Sequence, residues 1–194
     1  MLNSFCSGWQ SYIANPAKLR MIQNGTYDTF KRILVEKKIP IIIARAGQRF
    51  FLDERVTMDV LYPLTDTSGQ SFLPQEVNDS SVATLFSFGS KKFLFMGDAS
   101  LKEELDLVYS GQDIDVDVLK ISHHGSKNST ARLFLEHTTP SLAFTSVGSQ
   151  NRYGHPHPEV LDRLGNIPFF RTDQQGRILI TSDGSNIQVQ KEKE

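Results

Sequence analysis

The chain is short of the residues that staple or anchor a protein. One cysteine, Cys6, in 194 residues excludes an intramolecular disulfide framework and a zinc site built on clustered thiolates, and a lone cysteine reads as a reduced, incidental thiol. Any metal chemistry must therefore use His and Asp. No apolar run approaches the roughly 20 residues needed to cross a bilayer, and the opening MLNSFCSGWQSY has no basic region followed by an apolar core. The expectation is a soluble, cytoplasmic chain with no membrane contact of its own. A net charge of −1 and a pI near 6.5 argue against binding nucleic acid through bulk charge, while leaving room for a local basic patch. Internal repeats and low-complexity tracts are also absent.

What is present suits one compact domain: 39% hydrophobic and 22% charged residues are an ordinary globular balance. One domain over 1–194 is expected, with an irregular or remnant segment at 1–25 and a charged tail at 191–194. Phe30, Ile33 and Leu34 lie at helical spacing within 26–37, and IPIIIA (39–44) reads as a strand, followed by extended pieces at RFFLD and VTMDVLYP. Residues 65–77 are polar and read as a surface loop. SVATLFSFG and KKFLFMG, joined by Gly-Ser-Lys, predict a hairpin. Ser100 with Glu103 predicts a capping box opening a helix to about Tyr109. VDVLKIS is the next strand, a helix follows over 130–137, then come the strand SLAFTSVG and the short helix EVLDRL, which Gly165 stops. PFFRTD and RILITSDGSNIQVQ close the chain as strands, with a hairpin at Asp183-Gly184. Strands alternating with helices, plus terminal hairpins, predict an α/β fold with a mixed sheet.

Four of the five histidines, His123, His124, His155 and His157, lie in predicted loops after strands, and Asp98 also follows one. Catalytic and ligand groups of α/β sheets gather beyond the carboxyl ends of strands. Asp98, the His123-His124 pair and His155 are therefore expected to converge on one edge. A carboxylate with neutral imidazoles suits zinc, manganese or iron, which would activate water and polarise an ester or phosphoryl oxygen. Each part has a simpler explanation: Gly97-Asp98 as a turn before a helix, the His pair as a solvated loop, and GHPHP as a rigid entry to a helix with Pro158 near its first position. His137, near a helix C-terminus, is explained by the helix dipole. Ser126, Lys127 and Asn128 open the next helix with hydroxyl, cation and backbone N–H groups that suit a phosphate, or equally a cap with a solvated lysine. Lys120, Arg132, Arg152 and Arg171 lie close to the same motifs in sequence and allow an anionic substrate.

The ordered motifs NDSSVATLFSFGSKKFLFMGDA, DVDVLKISHHGSKNST, PSLAFTSVGSQNRYGHPHPEVLDRL and FFRTDQQGRILIT closely resemble the metallo-β-lactamase-like domain of ComEC-type DNA-internalisation competence proteins, over about residue 26 to the C-terminus. The resemblance implies an αβ/βα sandwich with mixed sheets, N-terminally incomplete. It further implies metal-dependent hydrolysis, of DNA or another phosphodiester, with one or two zinc or manganese ions in the complete domain.

On the same resemblance Asp98, His123 and His124 are the catalytic candidates, and Asp98, His123, His124 and His155 the metal candidates. Asp98 matches an aspartate that can bridge two metals, and one histidine of the pair is a ligand while the other serves as an acid or supports the ligand. Ser126, Lys127, Asn78 and Arg152 are the substrate-binding candidates; Asn78 stands where related hydrolases place a histidine. The chain departs from the family in having no histidine before His123, where an HxHxDH-like motif is expected. A truncated reading of a longer protein is the favoured account, with a natural short form as the alternative. Full-length members of the family are membrane-attached, and a homo-oligomer or a missing N-terminal segment would complete the partner set. The rival class is a noncatalytic module that binds nucleic acid or a protein on the same fold.

Overall fold

In the computed structural model, residues 12–14, 25–67 and 78–193 are described. Cys6, most of the segment 1–25, residues 68–77 of the expected loop and the last residue of the charged tail lie outside them.

The centre of the molecule is a seven-stranded mixed sheet. Its strands are β3 (Arg49–Asp53), β4 (Val56–Tyr62), β5 (Ala83–Phe88), β6 (Lys91–Phe95), β7 (Val118–Lys120), β8 (Leu142–Thr145) and β9 (Phe169–Arg171), and they lie in the sheet in that same order. β3 to β6 pair antiparallel and β6 to β9 pair parallel. The change of sense follows from the connections. Two-residue turns close the β3–β4 and β5–β6 hairpins, whereas each parallel pair needs a crossover, supplied by the helices α2 (Leu101–Tyr109), α3 (Arg132–Thr138) and α4 (Pro158–Leu164).

Two smaller sheets flank the main one. β1 (Tyr12–Ala14) pairs parallel with β2 (Ile41–Ile43), on either side in sequence of α1 (Gly25–Glu36). β10 (Ile178–Ser182) and β11 (Ile187–Lys191) form the C-terminal hairpin. A short helical turn, α5 (Thr172–Gln175), stands between β9 and β10, where the sequence suggests only extended chain; four residues are too few to show a helical period.

Alternation of side chains decides which face is the core. Leu85, Leu94, Leu119 and Ala143 are paired neighbours across β5 to β8 and share one face, where they are buried with Leu107 of α2, Phe134 and Leu135 of α3, and Val160 and Leu164 of α4. The residues one step along each strand, among them Phe86, Phe93, Phe95, Lys120 and Phe144, are only half-buried. There Phe95 meets Phe86 and Phe144 edge to face, at 5.3 and 6.1 Å between centroids.

The helix starts follow the local chemistry. Ser100 caps α2 with both halves of the expected capping box in place, Pro158 is at the first turn of α4, and Gly165, at φ 56°, stops it. Gly89, in the β5–β6 turn, is needed for another reason. A side chain there would bring a Cβ within 2.4 Å of the Gly184 carbonyl, so the turn of one hairpin is fitted against the turn of the other, with the Ser90 N–H donating to that carbonyl at 2.8 Å.

Candidate active site at the carboxyl edge of the sheet

The parallel strands β6, β7 and β8 all deliver their next residues to one edge. Beyond β6, Gly97 turns the chain at φ 60° and Asp98 follows. Beyond β7, a short 3-10 turn, Ser122–Gly125, carries both histidines in the left-handed region, His123 at φ 46° and His124 at φ 54°. Two consecutive left-handed residues with Cβ atoms are costly, and the surroundings hold them there. The His123 N–H donates to the Gly97 carbonyl at 3.0 Å, which ties the β7 loop to the β6 loop.

Beneath the histidines lies a fully buried carboxylate, Glu104 of α2. It accepts from the Ser122 hydroxyl and from the backbone N–H groups of Thr130 and Ala131, at 2.6 and 2.7 Å, so one side chain fastens both ends of the segment 122–131. Burial pushes its carboxyl up from the ordinary value, opposed by these hydrogen bonds and by the charge of Arg163. Arg163 of α4 grips the middle of the same segment, donating to the carbonyls of Lys127 and Ser129 at 3.0 and 2.9 Å. Sequence reasoning missed both residues, because each looks like an ordinary solvated helix position and its partners are far away in the chain.

The third loop, 146–157, follows β8. Asn151 closes on His155 from both sides, accepting from the His155 N–H at 2.8 Å and donating to the His155 carbonyl at 2.9 Å. The His155 ring then lies 5.9 Å from that of His123, edge to face, and 4.9 Å from that of His157, and the Tyr153 ring stacks on it at 5.8 Å. Burial lowers the His155 pKa from its ordinary value, and the neighbouring histidines, His157 foremost, lower it further. Gly125 is the point where this loop meets the previous one: a Cβ there would fall 2.5 Å from the Pro156 side chain, and the Gly125 carbonyl accepts from the His157 N–H at 2.9 Å.

The structure thus brings the four candidates to one edge as two neighbouring pairs, Asp98 with His124 and His123 with His155. His124 Nε2 is 3.5 Å from Asp98 Oδ1, with both side chains about two-fifths exposed. His124 Nδ1 lies 2.6 Å from the Ser146 carbonyl; a carbonyl cannot donate, so Nδ1 carries the proton and fixes the ring's orientation. With Nδ1 carrying the proton, the Nε2 lone pair faces the Asp98 carboxylate, an arrangement that a bound cation would stabilise. Two donors bound about 2.1 Å from a tetrahedral zinc ion stand about 3.4 Å apart, which is the spacing these two atoms have. Such an ion fits the pair in kind and in spacing, and falls short in number: among the described residues no group of three or more His, Cys, Asp or Glu could hold a metal.

The expected substrate-binding residues are spread around this edge. Asn78 Nδ2 is 3.5 Å from His123 Nε2, so it borders the cluster. Ser126 is nearly buried and its hydroxyl accepts from the Asn128 N–H at 3.4 Å; Lys127 is exposed. Arg152 lies over the Tyr153 ring at 5.3 Å. Arg171 is held in a two-pronged pair by Asp173, at 2.6 and 3.1 Å. His137 is exposed on α3, its Nδ1 2.8 Å from the Leu133 carbonyl.

The class these features define is an α/β protein with a mixed seven-stranded sheet and a cluster of histidines and one aspartate at the carboxyl edge of its parallel strands. No family model matches the chain. Among characterised proteins it is similar to ComE operon protein 3 of Bacillus subtilis, 38% identical over 107 residues, 54% of this chain and 14% of that protein. It is similar also to Recombination protein 2 of Haemophilus influenzae, 36% identical over 87 residues, 45% of this chain and 11% of that protein. A third relative is Competence protein ComA of Neisseria gonorrhoeae, 36% identical over 93 residues, 46% of this chain and 14% of that protein. The chain spans 11 to 14% of the length of these relatives. Among the described residues no helix is long and apolar enough to cross a membrane.

Proposed function

We propose that the chain works in DNA uptake, as the phosphodiester-engaging part of a metal-dependent hydrolase domain of the metallo-β-lactamase-like kind. The observation that carries this reading is the meeting of Asp98, His123, His124 and His155 at one strand edge, with His124 Nε2 set 3.5 Å from the Asp98 carboxylate. The relative named as a competence protein supports the process, and the motif resemblance supports the chemistry. Asp98 and His124 would hold the ion, with His155 and His123 next to them. A zinc or manganese ion would supply a polarised phosphoryl oxygen and a water acidified toward neutral pH.

The chain's own residues bind and orient. The Ser146 carbonyl fixes the His124 tautomer, so that Nε2 is the atom presented. Glu104 and Arg163 hold the loop that presents it, and Lys127 offers a solvated cation to a phosphate nearby. A second reading, a noncatalytic module that binds nucleic acid on the same fold, is favoured by one observation, the shortfall of donors among the described residues.

Calorimetry with zinc and manganese, beside anisotropy with a labelled oligonucleotide, tests both. Metal binding is expected to be weak, on the order of micromolar or weaker because water fills the remaining positions, and to vanish in Asp98→Ala with His124→Ala. Tight binding that survives the double substitution would overturn the assigned ligands. Oligonucleotide binding without any metal response would move the assignment to the second reading.

A further inference from the structure

Three lysines of the main sheet are half-buried: Lys91, Lys92 and Lys120. The first two are paired, Lys91 with Asp117 and Lys92 with Asp113, each at 2.7 Å. Among the described residues Lys120 has no such partner. There its ammonium donates one long bond, 3.5 Å, to the carbonyl of the next residue, Ile121, and forms no ion pair. It is the last residue of β7, its register neighbours are Phe95 and Phe144, and the chain runs from it through Ile121 and Ser122 to the two histidines. Taking a cation partly out of water is costly unless an anion compensates. Burial does lower the Lys120 pKa, and the charge of Asp98 opposes this, which places the ammonium within the field of the candidate site. The other cations near the motifs are less suited: Arg171 is neutralised by Asp173, Arg163 is bound to loop carbonyls, and Arg152 lies over Tyr153.

We propose that Lys120 is an anion-binding residue of this edge, whose missing counter-charge is a phosphate oxygen of the nucleic-acid backbone. The proposal rests on the phosphodiester reading above and deepens it by naming the group that meets the phosphate. The half-buried ammonium is not fully hydrated, so a phosphate entering beside Asp98 and His124 gains a charge-assisted hydrogen bond that an already paired lysine could not offer.

The test is anisotropy of a labelled single-stranded oligonucleotide across a salt series, with the wild type, Lys120→Met, Lys120→Gln, Lys120→Arg and the surface control Lys37→Met, each verified as folded by thermal melt. Loss of one phosphate contact makes the plot of log K against log salt shallower by about 0.7 on a single strand. That loss is expected in both the Met and Gln variants, with several-fold weaker binding at low salt, while Lys120→Arg and Lys37→Met keep the wild-type slope. Having two neutral variants keeps the test in force if one fails to fold. A wild-type slope in both neutral variants overturns the role of Lys120 and leaves the phosphodiester reading standing. A wild type that binds no oligonucleotide overturns that reading, and this proposal with it.

Discussion

The loop after β7 and the loop after β8 both present histidines to the same edge, yet they are held by different physics. The first is fastened from below by ionisable side chains of two helices: Glu104 takes three hydrogen bonds from its ends and Arg163 gives two to its middle. The second is held from within by a neutral amide, Asn151, which closes on the backbone of His155 four residues away. A charge anchored in the core can impose an expensive backbone, and His123 and His124 are both left-handed. A local amide clamp shapes a loop without tying it to the core. The half of the site that carries His124 is therefore built as a fixed element, and the half that carries His155 as one that follows its own local geometry.

Glu104→Ala should break the contrast most strongly. It strands two buried N–H groups and a hydroxyl and leaves Arg163 without its nearby negative charge, so a loss of about 3–5 kcal/mol is expected, read by urea denaturation. A loss below about 1 kcal/mol would mean that the loop is held by its own turns.

Gly125→Ala acts where the two loops touch. The added Cβ would fall 2.5 Å from the Pro156 Cβ and 2.9 Å from its Cα, at a backbone φ of 82°. A cost of about 2–3 kcal/mol is expected, together with displaced imidazole resonances of both His124 and His155 in NMR spectra. Movement confined to one of the two would show that the loops are not coupled through this contact.

Asn151→Ala should have the smallest effect, about 1–2 kcal/mol for three lost bonds to a partly solvated backbone, two to His155 and one to Gly148. Faster hydrogen exchange should appear in 148–157 and not in 122–131. Equal loss of protection in both loops would contradict the division drawn between them.

Much of the scaffold was legible in the sequence because its signals are local. The Ser100–Glu103 capping box, the alternation of ATLFSF against KKFLF and the stop at Gly165 each lie within a few residues of what they specify. That Asp98 and the histidines follow strands was legible as well, and the contact of Asp98 with His124 agrees with it. Glu104 was not legible. It stands beside Glu103 in a charged first turn, and its three donors come from 18 to 27 residues further along, so only the packed helix reveals that it points inward. The left-handed histidines were hidden for a related reason: no local residue favours that backbone, and tertiary contacts impose it.

The seven strands of the main sheet lie side by side in the order in which the chain makes them. Each new strand pairs with the one made just before it, across a two-residue turn in the two hairpins and across a helical crossover in the parallel half, so no pairing skips over an intervening strand. Because closure entropy grows only slowly with loop length, pairing consecutive strands keeps that cost modest even across the crossovers. It favours assembly from β3 toward β9 by successive addition, in which the strands β7 and β8 that carry the histidine loops join late and β9 covers them last.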